Sequence, residues 1–442
     1  MRVDPQHTHP MPATKAMPAS IARATVCALL CLVASVDAQP AAPAREPSFA
    51  ADARAMDALA QQVVERSHIP GMAMAIVQDG NILVLKGYGV TDARGTEPVT
   101  PNTVFRLASL SKSFAGTLAG LLVEDGSLRW DMRVADELPA FKLADLQDTQ
   151  SLTVRDILSQ RAGLTHNTYD RDLESDIPFE LLVQRLAHAP LACAPGDCYA
   201  YQNVAFSLIG DIVFTVTGDF YSHQVEKRIF QPLGMFDSSY GREALEASPS
   251  WARPHVHGAG GWVPIRPQEA YYRIPPAAGV NTSIHDMAHW LIAQMGHRPD
   301  VLSAEVLADV HAPQVPTPDQ MHGSAWRRER ISKASYATGW RIFDYAGHTL
   351  VFHGGAVQGY RSEIAFLPDR DIGAVILWNS ESAVPSGLMP TILDRALGLP
   401  ERDWLELDKI NERSAAPRHH GRSHKPGGKL KAAHASARHH HR

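Results

Sequence analysis

Four cysteines in 442 residues are too few for a disulfide-stapled scaffold, and 31 glycines without a triplet period exclude a collagen-like rod. Apolar residues make up 45% of the chain, far more than a disordered polypeptide carries, so a core can form. The apolar run Thr25–Val36 is too short to cross a bilayer as a helix, and no other stretch is long and apolar enough. His-Glu-x-x-His, Gly-x-Ser-x-Gly and a glycine-rich phosphate loop are all missing, which removes the usual signatures of zinc peptidases, α/β-hydrolases and nucleotide binders. His255-Val256-His257 is the one close histidine pair in the body. With no acid or third histidine at ligand spacing it reads as a loop pair, so no metal or other cofactor is expected. No internal repeat is visible.

The net charge of -5 hides an asymmetry. Residues 414–442 hold seven Lys/Arg, seven His and no acid, leaving a body more acidic than the total indicates and arguing against nucleic-acid binding. That segment has Leu430 as its one large apolar residue, so it is expected to be a disordered, solvated basic tail. Anionic envelope polymers, or metal held weakly by its histidines, are the partners its chemistry fits.

At the other end, Lys15 and Arg23 precede the apolar run, and Val36-Asp37-Ala38 resembles a small-residue cleavage site. Residues 1–38 therefore read as a signal peptide, which predicts a periplasmic or secreted protein with no membrane span after cleavage. Cys27 and Cys31 would leave with the signal. Cys193 and Cys198, enclosing Ala-Pro-Gly-Asp, would stay, as a small-loop disulfide or as two free thiols.

Periodicity predicts a helix over Ala51–Arg66, strands at Met72–Gln78 and Ile82–Tyr88, and a second helix over Ser109–Glu124. Helical segments broken by Pro and Gly run to about Ala293, clearest at Val154–Gln160, Pro178–Ala187 and Asn203–Thr217. Strands return at Thr338–Phe343, Thr349–Phe352, Arg361–Phe366 and Ile372–Trp378, before a closing helix at Met389–Ala396. Strands at both ends and helices between them predict an α/β (α+β) domain over 39–413: a sheet assembled from distant segments, flanked by helices, with an inserted helical lobe.

Three short motifs carry chemistry. In Ser109-Leu110-Ser111-Lys112 the lysine lies one helical turn from the serine, and a crowded, desolvated amine can lose its proton and activate a hydroxyl. Tyr201-Gln202-Asn203 supplies a phenol that, with a lowered pKa, could shuttle a proton to a leaving group, and a carboxamide able to hold lysine and substrate. His353-Gly354-Gly355, at a predicted strand end, gives a small-residue edge where a backbone N–H can face an oxyanion. Taken singly, each also reads as ordinary structure: an N-cap serine with a surface lysine, a packed tyrosine beside a capping asparagine, a strand-to-turn break.

In this order the three motifs resemble those of the serine β-lactamase and penicillin-binding-protein superfamily, nearest its class C β-lactamase branch with related esterases and peptidases. The similarity spans roughly Ala51 to Gly398 and takes in Phe105-Arg106-Leu107-Ala108-Ser109, Leu158-Ser159-Gln160-Arg161-Ala162-Gly163-Leu164 and Ala278-Gly279-Val280-Asn281-Thr282-Ser283. It implies a β-lactamase/transpeptidase-like fold with an antiparallel sheet. Ser109 would be the acylated nucleophile, and Lys112 its general base or the cation that keeps Tyr201 deprotonated. Tyr201 would protonate the leaving group, and Asn203 would orient Lys112 and the substrate. The N–H groups of Ser109 and Ala356 would form the oxyanion hole. The family's Lys-Thr/Ser-Gly is here His353-Gly354-Gly355, with a partly charged histidine and no hydroxyl, which weakens the grip on a substrate carboxylate. The implied substrate is a small-molecule or peptide acyl donor: a β-lactam, a D-amino acyl peptide or an ester. The alternative is a penicillin-binding sensor that is acylated and not released.

Overall fold

The computed structural model describes residues 49–409; the predicted signal peptide and basic tail lie outside them. Among the described residues thirteen strands form three sheets. Strands β1 (Gly71–Gln78) and β2 (Asn81–Gly89) come first, then β3 (Val104–Arg106), β4 (Ser239–Tyr240), β5 (His255–Gly258), β6 (Gly261–Pro264) and β7 (Val280–Ser283). The last six are β8 (Val315–Pro316), β9 (Ile331–Tyr336), β10 (Arg341–Tyr345), β11 (His348–Val357), β12 (Tyr360–Leu367) and β13 (Ile372–Trp378). The main sheet has the order β2-β1-β13-β12-β11-β10-β9-β8, and every neighbouring pair is antiparallel.

β1 sits second in this sheet because it is apolar on both faces. Met72, Met74 and Ile76 enter one core, while Ala73, Ala75 and Val77 enter the other. Side chains of a strand alternate, so such a run fits only where both faces are covered. Helix α1 (Ala50–Ser67) and the closing helix Leu388–Ala396 cover the first face; helix Ile284–Gln294 packs on β1 and β13 from the other side. Helix α2 (Ser111–Glu124) is buried from Ser111 to Leu122, which is why it carries a central apolar run and no amphipathic stripe.

Several boundaries differ from the sequence reading. The segment to Ala293 also contains β4 and β7, which join β3 in a three-stranded sheet, and the hairpin β5-β6. The pair His255 and His257 therefore lies in a strand, and His255 is fully buried, its Nδ1 bonding the Asn379 carbonyl and its Nε2 accepting from the Ala93 amide. The predicted strand Thr338–Phe343 begins three residues later, at Arg341, after a turn at Thr338–Gly339. β9 was not anticipated, since Ile331-Ser-Lys-Ala-Ser-Tyr336 is too polar to show alternation. His353-Gly354-Gly355 lies inside β11 and not at its end.

Candidate active site

Ser109 lies in a single 3-10 turn, Ala108–Leu110, that precedes α2, so the α-helix starts two residues later than predicted. Ala108 has φ +52°, a left-handed conformation rare for a residue with a side chain, and such local strain persists only where neighbours fix it. Here they do. The Ser362 hydroxyl donates to the Leu107 carbonyl (2.7 Å), the Leu107 amide donates to Val280 (2.9 Å), and the Val280 amide donates to Ser111 Oγ (3.0 Å). Ser109 itself stays half-exposed.

Gly355 explains why β11 can approach this turn. A Cβ there would stand 1.9 Å from the Leu107 carbonyl oxygen, so any side chain would push the strand off the serine. β10 pairs with β11 only from Tyr345↔His348 to Arg341↔Phe352. His353–Val357 therefore offer one edge with no strand partner, and Ala356, exposed, lies on that stretch. A pocket of about 400 Å³ adjoins it, lined by Arg106, Glu174, Gln268, Tyr271, Ala356 and Arg361 among others.

Lys112 is fully buried in the first turn of α2. Its Nζ donates to Asn203 Oδ1 (2.7 Å) and to the Ala277 carbonyl (3.0 Å), and sits 4.7 Å from the centre of the Tyr201 ring. Asn203 occupies the N-cap position of helix Val204–Thr217 but makes no side-chain cap bond. Its amide is spent on the interior instead, with Nδ2 donating to Asp170 Oδ2 at 2.7 Å. Burial pushes the Lys112 amine down to about 7; Asp170 opposes the shift and Arg341 adds to it.

Tyr201 is held in the loop before that helix. Asn167 N–H donates to its carbonyl (2.8 Å), and the amide of the next residue, Gln202, donates to Gln160 Oε1 (2.6 Å). Its phenol hydrogen-bonds Ser109. The sequence reading gave this phenol a lowered pKa, and burial reverses that, pushing it up to about 12 against the lowering influences of Arg341 and Ser109. The preceding loop is closed by a Cys193–Cys198 disulfide and tied to Gly163, whose carbonyl accepts from Ala192 and Cys193.

His353 departs from the expectation of partial charge. It is fully buried, its Nε2 meets the Tyr336 hydroxyl (3.1 Å) and its Nδ1 meets the Gly354 carbonyl (2.9 Å). Burial, with Arg341 and Lys112 adding to it, drives its pKa well below the ordinary value, so the ring is neutral.

Ser109, Lys112, Tyr201 and Asn203 thus converge in one cleft with β11, and two neighbours were missed. Asp170 sits in a short helix (Asp170–Glu174), 8% exposed, and burial raises its pKa. Arg341 opens β10, its guanidinium 5.6 Å from the Tyr201 ring and 5.5 Å from the Tyr336 ring. Away from the cleft, Asp237, His285 and Asp286 bring three ligand-type atoms together, a grouping invisible in the sequence. Asp286 is already engaged by the Asp237 amide (2.8 Å) and the Ser238 hydroxyl (2.8 Å).

An antiparallel sheet flanked by helices, with Ser109, Lys112 and Tyr201 gathered beside it, is a β-lactamase/transpeptidase-like fold. The solved structures agree on the fold. An octameric penicillin-binding protein homologue from Pyrococcus abyssi superposes with TM-score 0.71 at 24% identity, covering 82% of each chain. EstCE1, a hydrolase with promiscuous acyltransferase activity, gives 0.67 at 21% identity over 79% of this chain and 100% of its own. A class C beta-lactamase gives 0.62 at 21% identity over 80% and 98%. The Beta-lactamase family model matches residues 56–398, and the chain belongs to that family. Among curated relatives, the unguisins hydrolase ungD' of Aspergillus campestris is 28% identical over 362 residues, 78% of this chain and 66% of the relative. Protein flp of Staphylococcus aureus is 25% identical over 336 residues, 74% and 63%. The chain thus spans slightly under two thirds of the length of these relatives.

Proposed function

We propose that the protein is an exported serine hydrolase that transfers an acyl group to Ser109 and then to water. The observation that carries this reading is a buried amine, held by Asn203 (2.7 Å) and the Ala277 carbonyl (3.0 Å) and 4.7 Å from the Tyr201 ring, one turn from a half-exposed serine. An amine at its ordinary pKa would be charged at neutral pH and unable to act as a base. Burial lowers the Lys112 pKa to about 7, so a neutral amine is accessible at neutral pH.

In this mechanism Lys112 takes the Ser109 proton as Oγ bonds to the acyl carbon. The oxyanion lies against the Ser109 and Ala356 amides, a contact worth about 3–4 kcal/mol per donor in the transition state. As the bond to the leaving group breaks, the Tyr201 phenol gives that group its proton and regains one from the Lys112 ammonium. Water then attacks the ester, its proton passes through the same pair, and Ser109 is restored. The net change is one water consumed per acyl bond broken. A phenol near 12 suits the donor role and not that of a resident phenolate.

Small acyl donors of three kinds fit this machinery: β-lactams, D-amino acyl peptides and short esters. Residues 1–38 and the Cys193–Cys198 bridge support a periplasmic or secreted location, which cell fractionation tests.

A fluorophosphonate should label the wild type and spare Ser109→Ala, and a nitrocefin, p-nitrophenyl ester and D-Ala-D-Ala peptide panel should reveal turnover. A label retained in Ser109→Ala overturns the assignment. A fluorescent penicillin that marks Ser109 permanently, with no turnover of the panel, makes the protein an acyl-accepting sensor instead.

A further inference from the structure

We propose that Asp237, His285 and Asp286 form a binding site for a divalent transition cation of the zinc class, separate from the acylation machinery and independent of the function proposed above. Their three ligand atoms lie within 4.8 Å of one another. Ligands that share a cation at about 2.0–2.2 Å stand about 3–4 Å apart, so a small inward movement closes the set. One edge already has that length. His285 Nδ1 and Asp286 Oδ1 are 3.3 Å apart, matching the edge of a tetrahedron with bonds of about 2.0–2.1 Å. The same distance is long for a hydrogen bond between these groups, and the protein supplies its own standard. His223–Asp219 and His297–Asp371 close to 2.9 Å, and His348–Asp369 to 2.6 Å.

Each carboxylate has one oxygen fixed and one left open. Asp286 Oδ2 accepts from the Asp237 amide and the Ser238 hydroxyl, both at 2.8 Å, and Asp237 Oδ2 accepts from Asn102 Nδ2 at 3.0 Å. Asp286 Oδ1 then faces His285 alone, and Asp237 Oδ1 has no partner among the described residues. Outer hydrogen bonds of this kind hold ligating carboxylates in place. Among the described residues no Lys or Arg bonds either carboxylate, so two negative charges share this space with one imidazole as their ion-pair partner. A divalent cation relieves that repulsion. His289 stands four residues along helix Ile284–Gln294, on the same face, its ring 4.7 Å from that of His285. The Leu233 carbonyl can only accept, so its 2.9 Å contact places the His289 proton on Nδ1 and leaves Nε2 a lone pair. The fourth position falls to that nitrogen or to water. Access is open, since the His285 side chain is 38% exposed and a pocket of about 550 Å³ adjoins Asp237. An imidazole beside two carboxylates suits zinc-class ions better than Mg²⁺ or Ca²⁺, which take six or more oxygens. Ser238 also bonds Thr282 of β7 at 2.7 Å, so a cation here clamps the segment before β4 to β7 and to the helix that follows it.

Thermal melts of the full purified chain, stripped with EDTA and then titrated with Zn²⁺, test the site. Wild type should show a saturable rise in melting temperature, about 3–5 °C at 100 times the dissociation constant, and Mg²⁺ should give none. His285→Gln and Asp237→Asn should melt within about 2 °C of wild type when stripped, lose the rise, and bind one zinc fewer per chain. The histidines at the end of the chain are a rival, so His439→Gln, His440→Gln and His441→Gln are combined in one variant, which should keep the rise. No rise in wild type, an equal rise with Mg²⁺, a rise kept in both site variants, or a rise lost in the tail variant overturns the inference. Should Asp237→Asn fail to fold, His285→Gln decides.

Discussion

On the α1 face of the sheet, Arg330 meets Asp394 directly, through Nε to Oδ1 at 3.0 Å and Nη2 to Oδ2 at 2.9 Å, and the Tyr345 hydroxyl and Trp404 indole donate to the same carboxylate. On the opposite face, Lys112 reaches Asp170 only through the carboxamide of Asn203. Both cations are withdrawn from water, yet their protonation moves in opposite directions. The hydrogen bond to Asp394 pushes Arg330 up, and burial pulls Lys112 down to about 7. The comparison sets two environments side by side. A carboxylate in contact reinforces a guanidinium that is charged in any case, whereas burial without a carboxylate in contact lowers the pKa of an amine.

Five substitutions probe the two faces of the sheet, beginning with the largest effect. Gly355→Ala should lower kcat/KM by about 100-fold, because its Cβ must displace the Leu107 carbonyl and with it the serine turn. Gly354→Ala, one residue along, should stay within a few-fold, since its nearest neighbour is 3.5 Å away. Similar losses in both would mean that the approach of β11 to Leu107 does not position the serine.

Asn203→Asp makes the lysine face resemble the arginine face. A carboxylate in contact should raise the Lys112 pKa, so the acidic limb of kcat/KM, centred near pH 7 in the wild type, should move to higher pH. Activity at pH 7 should fall about 10- to 100-fold. Asp170→Asn removes an influence that holds the amine up, so its limb should move to lower pH. Two limbs that stay in place would show that Lys112 is not the titrating base.

Asp394→Ala should have the smallest effect on turnover per folded molecule, within about twofold, while lowering stability by about 3–5 kcal/mol in chemical denaturation. The guanidinium and carboxylate are only 15% and 5% exposed, so the stranded Arg330 charge stays buried.

The sequence made Ser109, Lys112, Tyr201 and Asn203 legible because each belongs to a local pattern whose spacing carries meaning by itself. Asp170 and Arg341 belong to none. A lone aspartate in a short helix and a lone arginine after Gly339-Trp340 become visible only when distant segments meet. Directions of titration were hidden for a related reason: the phenol of Tyr201 and the ring of His353 respond to desolvation, and burial is a property of the assembled fold. Continuous apolar runs exposed β1 and β13 well, while β9, bearing Tyr336 at its end, was too polar to stand out.

The gap along β11 has a stereochemical consequence. An extended acyl donor settling there would serve as a temporary ninth strand, and successive side groups would project to opposite walls of the cleft. Inverting one chiral centre of the donor would swing a side group from one wall to the other while leaving the main-chain bonds intact. Preference for one handedness would then arise from backbone alternation, before any side-chain pocket contributes.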